Sequence, residues 1–186
     1  MWVEVFGIIL NSILSLIAII VSVIAIKKQT QEQKLQNTIQ LFDKRIQIYT
    51  YLTEIFGMSG VVRMHLHLPS IEQNVSFKQF KKGVEQNWIN DEQLKILTTM
   101  TNMAGTMSTQ ATALFEKDLA KYIEETIDLF VDFVDVLVDF NCCDKPINKE
   151  GYNTFLKLYQ HIKDNKKGEI INKINAYLNL TDIKRV

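Results

Sequence analysis

The chain has 186 residues and balances 21 Lys+Arg against 21 Asp+Glu, so no overall field draws in nucleic acid or an acidic substrate. Its two cysteines are adjacent, at Cys142 and Cys143. They offer no spacing for a disulfide framework, which fits a reducing compartment.

From Val5 to Ile26 runs a stretch of about 22 residues without a charge, and roughly 20 suffice to cross the hydrocarbon core of a bilayer. A cleaved signal peptide wants a positive leader and a shorter apolar run, whereas Met1-Trp2-Val3-Glu4 precedes this one and carries an acid. The pattern therefore predicts an uncleaved anchor over residues 1–28, with Trp2 and Phe6 at interfacial depth. Lys27, Lys28 and Lys34 follow the run and no Lys or Arg precedes it, which predicts a single pass with the N-terminus out and the C-terminal side cytoplasmic. Inside the run Asn11, Ser15, Ala18, Ser22 and Ala25 are spaced four, three, four, three. They share one helical face, a candidate helix-association surface.

Gln29 to Gln36 is polar but holds no Gly or Pro, so the helix is expected to continue. Leu35, Ile39, Phe42, Ile46, Tyr49 and Phe56 then mark an inward stripe, broadened by Leu41, Ile48, Leu52 and Ile55 into a bundle-core helix. Asn11, Ala18, Ala25, Glu32, Ile39, Ile46 and Thr53 hold one seven-residue phase. A continuous rod is possible on that phase, although Glu32 and Thr53 interrupt its apolar character.

Gly57, Gly60 and Pro69 punctuate the chain up to Ser76 and predict a first bend, with Val61–Leu68 apolar enough to be helical again. Phe77, Phe80 and Val84 predict a short helix. Asn90-Asp91 reads as an N-cap before Leu94, Ile96 and Leu97, and Gly105 to Ser108 predicts another interruption.

A long helix is expected from about Ser108 to Phe140, ended by Asn141, Cys142, Cys143, Asp144 and Pro146. Asp128, Asp132, Asp135 and Asp139 recur at four, three, four among Phe, Val, Leu and Ile, with Glu125 extending the row. Such a helix belongs in the middle of a domain with only its carboxylate stripe in water, and the stripe is the candidate docking surface for a basic partner. Carboxylate-bridged metal sites in bundles add Glu-x-x-His pairs, which are missing here: none of His65, His67 and His161 follows a Glu by three residues. Cys142-Cys143 with His161 lacks the spacing of a zinc site. No phosphate loop or nucleophile elbow occurs. Lys78, Lys81 and Lys82, and likewise Lys163, Lys166 and Lys167, form small basic clusters that read as solvated surface. The sequence supports no enzyme, cofactor or metal, and neither nucleic acid nor a small-molecule substrate is an expected partner.

Two more helices are expected, Lys149–Asp164 with Tyr152, Phe155, Leu156 and Tyr159 inward, and Gly168–Leu180 with Ile170, Ile171, Ile174, Tyr177 and Leu178 inward. The predicted fold is all-α: a transmembrane helix over 1–28, continuing into a cytoplasmic bundle of about five or six helices over 29–180, and a frayed tail over 181–186.

The order of an N-terminal anchor, then Leu41-Phe42-Asp43-Lys44-Arg45-Ile46-Gln47-Ile48-Tyr49, then Leu114-Phe115-Glu116-Lys117-Asp118-Leu119-Ala120-Lys121-Tyr122-Ile123 resembles a group of small single-pass bacterial and prophage membrane proteins. The resemblance covers the N-terminal two-thirds and implies no activity or ligand. Within it, Asp43, Lys44 and Arg45 are expected on the outer side of the first cytoplasmic helix, with Arg45 or Lys44 able to pair with Glu116 or Asp118. The functional expectation is a membrane-anchored, non-enzymatic interaction or regulatory module at the inner face of a bacterial membrane, in a setting such as phage exclusion or defence. Its partners would be the lipid bilayer and itself or another protein. The alternative is a self-associating, membrane-perturbing effector whose anchors assemble when triggered.

Overall fold

The computed structural model describes residues 2–65, 76–85, 90–143, 146–164 and 167–178. They form six helices, α1 (Trp2–His65), α2 (Phe77–Glu85), α3 (Asp91–Leu114), α4 (Lys117–Cys143), α5 (Lys149–Asp164) and α6 (Lys167–Tyr177), and no strand occurs among the described residues. The chain is all-α, a long apolar N-terminal helix followed by a helical bundle. His67, Lys166, the stretch 66–75 and the tail 181–186 lie outside the described residues. Two compact units emerge, one holding α1 up to Phe42 and the other running from Asp43 to Leu178.

In the first unit α1 carries no charged residue from Val5 to Ile26. From Ile13 it is long and apolar enough to cross a membrane, with a mean hydropathy of 1.8 over its best window and none of that window buried. A helix with no polar face has nothing to gain from water and needs an apolar solvent or a partner. Ser22 Oγ donates to the Ala18 carbonyl at 2.8 Å and, beyond the two lysines, Thr30 Oγ1 to the Ile26 carbonyl at 2.9 Å. Such i−4 back-bonding satisfies a hydroxyl that would be expensive to leave bare in apolar surroundings.

In the second unit Ile48, Tyr51, Leu52, Ile55 and Phe56 form the buried face of α1. Of the region from Gly57 to Ser76 where a first bend is expected, the part up to His65 is straight-through helix: α1 passes Gly57 and Gly60 unbroken, and the rest of the region lies outside the described residues. A lone glycine weakens a helix by only about 1 kcal/mol, less than one buried Phe or Ile on the preceding turns contributes. The inward stripe also starts later than the pattern suggested, since Leu35, Ile39, Leu41 and Ile46 are exposed.

Helix α3 opens with a complete capping box: Gln93 N–H donates to Asn90 Oδ1 at 2.8 Å and Asn90 N–H to Gln93 Oε1 at 3.1 Å. Gly105 does not interrupt it. Its buried residues Leu94, Leu97, Met100, Ala104, Met107 and Ala111 recur every three or four positions through the glycine. The break comes instead at Phe115, whose extended backbone (φ −125°, ψ 161°) ends α3, and α4 begins two residues on at Lys117. The single helix expected over Ser108–Phe140 is thus two, joined by a turn with neither Gly nor Pro and held by burial of Phe115 edge-on to Tyr177 at 5.2 Å.

Helix α4 runs on to Cys143 and packs on α3 on one side and α5 on the other. Leu119, Ile123, Ile127, Phe130, Val134 and Leu137 are buried on it. Phe155 of α5 joins it to α2, stacked on Phe80 at 5.0 Å and tilted against Phe133 at 5.6 Å. Each such ring taken fully out of water contributes roughly 1.5–3 kcal/mol, with a further half to one for the paired geometry.

Arg45 is not on the outer side. Its guanidinium lies 5.3 Å over the Tyr177 ring and Nη1 donates to the Tyr177 carbonyl oxygen at 3.3 Å, tying α1 to the C-terminal end of α6. A cation at a helix C-terminus meets carbonyls that no further turn can satisfy, and this attraction replaces the pairing with Glu116 or Asp118 expected from the motif.

Candidate functional site

The second half of α4 and α5 as far as Gln160 line a cleft of about 870 Å³. One of its lining residues is a glycine at a close helix approach. Asn148 caps α5 by accepting the Gly151 N–H at 2.9 Å, and a Cβ on Gly151 would lie 2.6 Å from Val136 Cγ1, so only glycine lets the two helices approach this closely.

Asp132, Asp135 and Asp139 line the cleft from α4 and Glu150 lines it from the first turn of α5; Lys157 is the one cation among the lining residues. Asp132 and Asp135 are exposed and Asp139 is half-buried. Asp128, one turn earlier on the same stripe, is exposed but does not line the cleft. Three of the four stripe aspartates anticipated from the sequence therefore converge on one concave surface, and Glu150 is an addition that no spacing within α4 could reveal. Phe140, Ile147 and Leu156 supply an apolar floor.

A concave surface that carries the exposed carboxylates of Asp132, Asp135 and Glu150 raises the local concentration of cationic groups, and because these three are wet the attraction is screened by salt. Its chemistry suits Lys and Arg side chains on a partner with apolar neighbours to fill the floor. No group of three or more His, Cys, Asp and Glu among the described residues is placed to hold a metal ion.

His161 lies elsewhere, between α5 and α4. Its ring stacks on Tyr122 at 4.6 Å with the planes 14° apart, and its Nε2 is 3.0 Å from Thr126 Oγ1. Thr126 is fully buried and already donates its single proton to the Tyr122 carbonyl at 2.7 Å. The threonine oxygen can only accept from the imidazole, so Nε2 carries the proton in the neutral ring. Burial lowers the His161 pKa below its ordinary value, opposed by the nearby Glu125 carboxylate and the Tyr122 carbonyl. The sequence held one signal of this arrangement, a threonine on the apolar face between Tyr122 and Phe130.

Along α1, Asn11, Ser15, Ala18 and Ser22 are all exposed, on the face their spacing predicts. Lys81, from the first basic cluster, pairs with Glu85 on the next turn at 3.6 Å, an exposed contact of a few tenths of a kcal/mol.

Comparison of the chain with protein-family models, curated proteins and solved structures finds no match. The functional reading accordingly rests on the geometry above.

Proposed function

We propose that the protein is a membrane-tethered interaction module: α1 spans the inner membrane of a bacterial cell once, the bundle hangs on its cytoplasmic side, and the α4/α5 cleft docks a basic segment of a partner protein. The observation that carries this reading is the division of α1 itself. Its apolar half is unburied over the whole of the window that could cross a membrane, while its second half is built into a packed bundle. Lys27 and Lys28 close the apolar run and orient it, since cytoplasmic flanks carry the excess of Lys and Arg. The cleft supplies charge and shape for a basic partner.

Membrane fractionation and protease accessibility test this directly. The full chain with a C-terminal tag should stay in the membrane pellet through an alkaline carbonate wash, and the tag should resist protease added outside spheroplasts. Release by carbonate would overturn the tether, and digestion of the tag would reverse the orientation. For the cleft, a Lys-rich helical peptide should bind the detergent-solubilised chain in a salt-sensitive way and lose binding with Asp132→Lys/Asp135→Lys.

A second reading, a self-associating effector that perturbs the membrane, is favoured by one feature, the exposed Asn11, Ser15, Ala18, Ser22 face of α1. Small side chains let helices approach closely, and an asparagine amide gains by about 1 kcal/mol or less from bonding across them in lipid. Dye release from vesicles carrying the full chain, abolished by Asn11→Leu, would establish it.

A further inference from the structure

We infer that the α4/α5 cleft takes a helical segment that is basic at one end only, with Lys157 as the residue that sets its register: Lys and Arg side chains lie against Asp135 and Glu150, and an uncharged or acidic turn lies against Lys157. The inference rests on the docking role proposed above and says which basic segments fit.

Three contacts fix how the two walls of the cleft are aligned. Gly151 of α5 lies against Val136 of α4, Phe155 meets Phe133 at 5.6 Å, and His161 Nε2 is 3.0 Å from Thr126 Oγ1, so rising numbers on α5 meet falling numbers on α4. Glu150 therefore stands level with Asp135 and Asp139, whereas Lys157, two residues past Phe155, stands level with Asp132. Carboxylates gather at the first end, and at the second the Lys157 ammonium offsets the carboxylate of Asp132. Glu150 and Lys157 are two turns apart on one face of α5, about 10 Å along it. Both are exposed, and the Debye length at physiological salt is about 8 Å, so each end acts on its own surroundings. A cation is drawn to the first end and gains nothing at the second.

The shape between the ends suits a helix. Val136 and Phe140, one turn apart on α4, and Leu156 on α5 are half-buried apolar side chains lining the cleft. A groove between two antiparallel helices with apolar walls seats a third helix, whose residues three and four positions apart fill it.

Calorimetric titration of the detergent-solubilised full chain with two Ala/Leu-based helical peptides of equal length tests the register. The first carries a pair of lysines one turn apart at one end, and the second adds a lysine two turns further along the same face. In the wild type the added lysine should leave the affinity unchanged. With Lys157→Gln it should raise the affinity by about two- to fivefold, the range of an exposed ion pair. Lys149→Gln removes an exposed lysine of α5 that does not line the cleft, and it should behave as the wild type does. An added lysine that strengthens binding equally with and without Lys157, or an effect of Lys149→Gln as large as that of Lys157→Gln, would overturn the register and leave the docking role standing. If neither peptide binds the wild type, the docking role itself falls.

Discussion

The Tyr51 hydroxyl of α1 donates a buried 2.9 Å hydrogen bond to the Met100 carbonyl oxygen of α3, while its ring meets Phe130 of α4 edge-on at 6.4 Å. Burial, helped by the nearby Glu54, pushes the phenol pKa up to about 12, so the hydroxyl remains a donor across the whole working range. Tyr51→Phe should lower stability by about 1 kcal/mol, and Tyr51→Ala by about 3–5 kcal/mol through the cavity it leaves. Thermal unfolding followed by circular dichroism in detergent measures both, and equal effects would show that the ring contributes nothing.

Two glycines should respond to alanine with opposite signs. At Gly151 the new methyl would meet Val136, a stiff β-branched side chain, so Gly151→Ala is expected to destabilise by about 1–3 kcal/mol and to push α5 away from α4 beside the cleft. At Gly105 nothing lies within 4 Å of the added carbon, and Gly105→Ala should stabilise by about 0.5–1 kcal/mol through helix propensity alone. The same unfolding assay separates them.

His161 makes stability depend on pH in a predictable sense. Burial holds its folded pKa below the ordinary 6.5, so the unfolded chain binds the extra proton first. The contribution is complete above the unfolded value and is lost as pH falls through it towards the folded one. Unfolding midpoints measured from pH 7.5 to 5 should therefore fall more steeply for the wild type than for His161→Gln. Thr126→Val removes the threonine oxygen from the imidazole, which keeps its interaction with the Tyr122 carbonyl, and should cost about 1 kcal/mol at neutral pH.

The aspartate stripe works against the fold that carries it. Asp128 and Asp132, and Asp135 and Asp139, are like charges one turn apart, so Asp132→Asn or Asp135→Asn should each raise stability by about 0.2–0.5 kcal/mol in low salt, with the gain fading near 1 M. The same variants should weaken binding of a Lys-rich peptide, and an unchanged affinity would remove the cleft from consideration as a docking surface.

Much of the architecture was legible in the residues. Periodicity and the Asn90 cap located α2, α3 and α5, and the run from Val5 to Ile26 marked the apolar half of α1. Glycine misled at positions 57 and 105, because breaker chemistry is local and weak while burial of Phe56 or Met107 is a tertiary effect. The turn at Phe115-Glu116 has no sequence signal, since it is fixed by where Phe115 finds Tyr177. Arg45 was misplaced for a related reason: its position beside Asp43 and Lys44 suggested a charged outer face, and only the fold brings the end of α6 against it. The cleft was half legible. Asp132, Asp135 and Asp139 follow from spacing on one helix, whereas Glu150 and the Gly151 contact depend on how α5 lies against α4.

The pattern of packing also sets an order of assembly. Helix α3 packs on α4, α4 on α5 and α5 on α6, so each of these finds its neighbour as soon as the next segment of chain is made, the low-contact-order condition for fast folding. The buried faces of α1 and of α2, which packs on α5, are the exceptions. Tyr51 waits for Met100, 49 residues later, and during synthesis Ile48, Leu52, Ile55 and Phe56 stand bare of their partners. A ribosome stalled before α3 is complete would leave an adhesive surface exposed on the nascent chain, and that interval is where a chaperone would have most to do.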